Sequence, residues 1–146
     1  MTSIIVNSNI SVEKGPQINV PASQITVNAI NKIAIELDTT NTTNTTNNTT
    51  FVEVQPGKKV EFLLIQSSQY TSTNPAQKIM YAIDYSTQPP NDPPAPEQIH
   101  LDKPQVYQGK GVISSLFPGG VQKIWFKNGL TEKVTLEILV GRDATS

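Results

Sequence analysis

At 146 residues the chain has the length of one domain, enough to bury about two-thirds of its unfolded surface in a single core. It has no cysteine, which excludes disulfides, thiolate metal sites and cysteine nucleophiles. A formal net charge of −1 with scattered lysines offers no general attraction for nucleic acid or an anionic membrane, so neither is expected as a partner.

Hydrophobic residues make up 36% and charged residues 16%, so the polar surface is built largely from Thr, Asn, Ser and Gln. Such a surface suits the outer face of a sheet, because β-branched Thr fits a pleated strand and loses side-chain freedom in a helix. The opening MTSIIVNSNI has no basic segment, apolar run or small-residue cleavage site of a secretory leader. The longest unbroken run of aliphatic or aromatic residues, Phe62 to Ile65, is far below the roughly 20 residues of a membrane span. A cytoplasmic protein is the expectation.

The first clear strand signal is Ile33, Ile35 and Leu37, which share one face while Lys32, Ala34, Glu36 and Asp38 take the other. Next comes a polar loop, residues 39–50, made only of Thr and Asn. It contains glycosylation sequons at Asn41, Asn44, Asn47 and Asn48, with another at Asn9, but their use requires export. The three-residue spacing slips at Asn47-Asn48, so a stacked Thr array is not expected; a loop whose ends continue the ladder is.

Val54 to Phe62 reads VQPGKKVEF and resembles the turn-plus-strand lead-in of cupredoxin-like and immunoglobulin-like sandwiches, with Val60 and Phe62 pointing inward. A cupredoxin copper site needs two His and one Cys, whereas this chain has one and none. Val60, Phe62 and Leu64 alternate, as do Ile79, Tyr81, Ile83 and Tyr85. Residues 88–98 hold five prolines and form a stiff Pro-rich connector, because proline favours extended polyproline II and denies a ladder its donors.

Further on, the only histidine, His100, shares a strand parity with Asp102 in the run I-H-L-D. An imidazole beside a carboxylate is part of a hydrolytic triad or of a metal site, yet no H-x-H, H-E-x-x-H or G-x-S-x-G accompanies it. Gly109-Lys110-Gly111 lacks the spacing of a phosphate-cradling loop, and no helix is expected after it. Glu36 and Asp38 lie on a solvated face, without the apolar setting that raises the pKa of a catalytic acid. The residues therefore point to a protein that is not an enzyme and uses no cofactor or metal.

In V-Q-K-I-W-F-K, Ile124 and Phe126 take the core face, leaving Trp125 with Lys123 and Lys127 on the opposite one. An outward Trp between lysines fills a subunit interface, stacks on a sugar, or lies under a loop or the lysine stems. After it, a two-residue turn at Asn128-Gly129 would oppose Phe126 to Thr131 and mix the faces. A longer loop from Lys127 to Thr131, a bulge, or strands in different sheets would each avoid the conflict. Pro56-Gly57 raises the same conflict between Val54 and Lys59. The last strand carries Val134, Leu136, Ile138 and Val140.

Period-two alternation, turn residues between the runs and the lack of a long helical pattern predict a single all-β domain over residues 1–146. Its fold class is a two-sheet antiparallel β-sandwich or jelly roll. Phe62 to Ile65 is apolar on both faces and Ile138 to Val140 nearly so, which requires a loop or another subunit on the outer face. The functional expectation is a non-catalytic module acting in self-assembly as a homo-oligomer, or in binding another protein. The alternative is a small glycan-binding module using Trp125, with Tyr70 or Tyr107 as a second platform.

Overall fold

Chain order in the computed structural model, which describes residues 2–39, 49–54, 59–84, 98–117 and 120–143, begins with β1 (Thr2–Val6), β2 (Ser23–Val27), β3 (Ala29–Leu37) and β4 (Thr49–Glu53). It continues with β5 (Lys59–Ser67), β6 (Ile79–Asp84), β7 (Ile99–His100), β8 (Gln105–Gln108), the helix α1 (Lys110–Leu116), β9 (Lys123–Asn128) and β10 (Val134–Asp143). The single all-β domain expected from alternation is what forms.

Its topology follows from the antiparallel pairs β3 with β10, β4 with β9, β5 with β8, and β6 with β7. The first half of the chain thus runs beside the second half as one long ribbon. Lateral pairing of β5 with β10 and of β6 with β9 rolls that ribbon into two sheets, ordered β3-β10-β5-β8 and β4-β9-β6-β7. This is the jelly roll. Between the sheets lie Ile79, Tyr81, Ile124 and Phe126 from one side and Leu63, Ile65, Leu136, Ile138 and Val140 from the other, all fully buried. Each contributes about 1.5–3 kcal/mol of apolar burial.

The parity conflicts resolve at the level of topology, since β9 and β10 belong to different sheets and are not partners across a turn, and so do β4 and β5. Asn128 and Gly129 instead build a crossover. The buried Asn128 amide Nδ2 donates to the carbonyls of Asp38 at 3.0 Å and Glu132 at 2.9 Å, and its Oδ1 accepts from Leu130 N–H at 3.0 Å. One side chain thereby ties the end of β3 to the connection between sheets.

A correction applies to β5, where Val60, Phe62 and Leu64 do not share one face. Phe62 opposes Gly141 but Val60 opposes Arg142, so Glu61 is an extra residue and the strand switches faces there. Val60, Leu63 and Ile65 face the core between the sheets, while Phe62 and Leu64 face outward. What covers that outer face is the N-terminal β1–β2 ribbon, which lays Ile4 and Val27 on Phe62, with Val6, Ile25, Leu64 and Leu139 around them. The doubly apolar runs are therefore satisfied within one chain. Sequence patterning did not register β1 and β2 as strands.

A second correction concerns Gly109-Lys110-Gly111, where a short helix does begin, at Lys110 with Gly109 as its N-cap. Within α1, Ile113 faces the core and Phe117 caps the end, while Val112 and Leu116 stay exposed. From the Thr/Asn loop, Thr49 and Thr50 pair with Lys127 and Phe126, so its C-terminal end continues the ladder as expected. Residues 40–48, Pro56-Gly57, Tyr85 and the Pro-rich connector up to residue 97 lie outside the described residues. Among the described residues, no helix is long and apolar enough to cross a membrane.

Candidate functional site

Strand β9 runs through the second sheet between β4 and β6, and alternation sends Lys123, Trp125 and Lys127 to its outer face, as the sequence predicts. Phe51 lies opposite Trp125 on β4 and the fully buried Ala82 on β6, so a small residue on one side leaves room for the indole. Trp125 is nonetheless only 5% exposed. A ring so covered offers no open face for a sugar. Lys123 reaches Glu53 at 4.0 Å, and Lys127 is exposed.

The next transverse row carries His100 opposite Met80, Met80 opposite Lys127, and Lys127 opposite Thr49. His100 therefore lies on the same face as Trp125 and Lys127, a juxtaposition that strand pairing alone creates. Asp102 does not join it. The strand ends at His100, Asp102 sits exposed in the following bend, and no ion pair links the two. Among the described residues, no group of three His, Cys, Asp or Glu gathers to hold a metal ion. Glu36 pairs with Lys133 at 2.9 Å on the surface of the other sheet, and this hydrogen bond with its charge raises the Lys133 pKa.

Behind the His100 row, a polar network crosses the interior between the sheets. The Tyr81 hydroxyl on β6 bonds both Gln105 Oε1 and the Tyr107 hydroxyl on β8, and Gln105 Nε2 donates to the His100 carbonyl at 2.9 Å. Burial, reinforced by the Tyr107 hydrogen bond, pushes the Tyr81 phenol well above its ordinary range. Tyr107 meets Phe117 edge-on at 5.4 Å, so its ring is engaged inside the fold. Tyr70 packs against the core, and its hydroxyl accepts from Ser67 N–H at 3.0 Å. Sequence reasoning missed this network, whose only signal was a tyrosine at an inward parity, a position that demands a partner for its hydroxyl.

Exposed apolar groups lie elsewhere, singly at Ile5, Val112 and Leu116 among others and as a group between β1 and β2. Between β1 and β2 the chain continues as a narrow two-stranded arm, pinned by an Ile10–Ile18 bridge and turned by Gly15 N–H donating to Val12 O at 3.1 Å. Residues 7 to 19 are exposed without exception, including Ile10 at 49%, Val12 at 48% and Ile18 at 56%. Comparison with known protein families, curated proteins and solved structures found no match to the chain.

Proposed function

We propose that the chain is a non-catalytic jelly-roll module that works by associating with proteins, its own copies first. Jelly rolls serve as shells, lectins and enzymes, so the architecture alone does not decide among these uses. One observation carries the reading: the arm of residues 7–19 exposes Ile10, Val12 and Ile18, none of which joins a core cluster among the described residues. Apolar side chains grouped on an exposed ribbon gain free energy when another surface covers them, at about 25 cal/mol per Å2 of apolar area. Trp125, at 5% exposure, presents little ring surface for stacking on a sugar, which favours this reading over a glycan-binding one.

The test is light scattering over a concentration series, comparing the intact chain with a variant carrying Ile10→Ser, Val12→Ser and Ile18→Ser. The expected result is a mass that rises with concentration in the intact chain and is lower in the variant. Identical masses for both chains at every concentration would overturn the reading.

A further inference from the structure

Strand β3 is an edge of the first sheet: among the described residues it pairs with β10 alone, leaving its other side without a strand over nine residues. A long edge without proline or bulge presents a row of backbone donors and acceptors to any strand laid beside it. Its centre reads Lys32-Ile33-Ala34-Ile35-Glu36, with Lys32, Ala34 and Glu36 exposed and Ile33 and Ile35 half-buried on the core side. On β10, by contrast, the partners Ile138 and Leu136 of these two isoleucines are fully buried. The inner face is thus covered at β10 and incompletely covered at the edge.

We infer that β3 pairs antiparallel with β3 of a second copy, about a two-fold axis at Ala34, joining the two edges into one continuous sheet. This deepens, and rests on, the reading of the chain as an assembling module. Opposed residues in an antiparallel pair point to the same face. In this register Lys32 of each copy faces Glu36 of the other, Ile33 faces Ile35, and the small Ala34 faces itself. Both opposite-charge contacts form at once, and both isoleucine contacts fall on the half-buried side. Lys32 already reaches Glu137 at 3.1 Å and Lys133 reaches Glu36 at 2.9 Å, so the new contacts complete a row of alternating charge across the axis. Sliding by one residue would mix the two faces. Sliding by two the other way would set Lys32 against Asp38, which lies past the strand end with its carbonyl bonded to Asn128 at 3.0 Å. A self-complementary charge pattern selects a second copy over an unrelated strand.

The test uses the full chain in three forms: intact, Lys32→Glu and Glu36→Lys. Sedimentation equilibrium is expected to show a dimer step for the intact chain, with arm-dependent association adding mass above it, and a dimer step weakened about tenfold for each variant, since each sets two like-charged pairs across the axis. An equimolar mixture of the two variants should restore a dimer, detected as a mixed species by native mass spectrometry, because every cross-axis contact is again of opposite sign. Circular dichroism melts of the dilute variants should match the intact chain, both positions being exposed. The proposal is overturned if the intact chain stays monomeric, if both variants dimerise as tightly as the intact chain, or if mixing restores nothing. The variant lacking Ile10, Val12 and Ile18 should keep this dimer. Equal masses for the intact chain and the arm variant, with the charge-dependent dimer kept, would refute the role of the arm alone; an arm-dependent change in mass with no effect of the charge variants would refute the β3 pairing alone.

Discussion

The backbone N–H of Gly129 donates to the carbonyl of Lys78 at 2.9 Å, and a β-carbon on Gly129 would come within 2.4 Å of that same oxygen. This contact, next to the Asn128 clamp, fixes where the chain leaves the second sheet for the first. Because the obstruction is backbone, no rotamer change relieves it. Gly129→Ala is expected to cost about 1–3 kcal/mol, read as a lower urea midpoint with an unchanged slope. An unaltered midpoint would mean that the crossover yields freely.

The inward faces of β3, β6 and β9 were legible in the sequence because large apolar residues recur at every second position, Ile33, Ile35 and Leu37, then Ile79, Tyr81 and Ile83, then Ile124 and Phe126. Residues 59–65 misled despite the same pattern. Val60, Phe62 and Leu64 alternate without fault, and the extra residue at Glu61 is defined only by the register against Gly141 and Arg142. With Leu63 and Ile65 also apolar, neither face is marked by polarity. The helix α1 spans seven residues with one buried side chain, too short for a 3.6-residue period to show. For the site, parity placed Trp125, Lys123 and Lys127 on one face, but depth of burial depends on the neighbouring strands. His100 and Asp102 fail to meet because the strand stops between them, and strand ends carry little signal in an I-H-L-D run.

Close approach of the β1–β2 ribbon to β10 makes a second prediction. A β-carbon on Gly141 would lie 2.7 Å from Ile4 Cδ1, 3.1 Å from Val27 Cγ1 and 3.2 Å from Phe62 Cβ. Gly141→Ala is expected to cost about 1–3 kcal/mol by overpacking and to speed hydrogen exchange in β1 and β2 ahead of β5 and β10. Ile4→Val removes the nearest atom. It should cost about 1 kcal/mol alone and clearly less in the Gly141→Ala background, a coupling that a double-mutant cycle measures.

Tyr81 links the stability of the fold to alkaline pH. Its phenol stays protonated in the native state above the value of about 10 at which the unfolded phenol ionises. Above that pH the unfolded chain has released a proton that the native chain still holds, so unfolding gains up to about 1.4 kcal/mol per pH unit; below it this group adds no pH dependence. Tyr81→Phe should lower stability by about 1 kcal/mol near neutrality, because Gln105 and Tyr107 lose a partner. Its melting temperature should then fall less steeply than that of the intact chain from about pH 9 to about pH 11. Parallel curves would show that the phenol does not govern the alkaline transition.

Trp125 is the only tryptophan, so its fluorescence reports one environment. At 5% exposure, opposite Phe51 and Ala82, it should emit at short wavelength in the native chain and resist quenching by iodide, with both properties reversing in urea. Trp125→Ala should cost about 3–5 kcal/mol, the range for removing a buried large aromatic side chain. A glycan-binding platform would behave in the opposite way. It would be quenched by iodide in the native state, protected when a glycan is added, and replaceable by alanine at little cost in stability. The two sets of outcomes share no member, so quenching and a urea titration on one pair of chains decide whether the indole holds the sheet together or waits for a ligand.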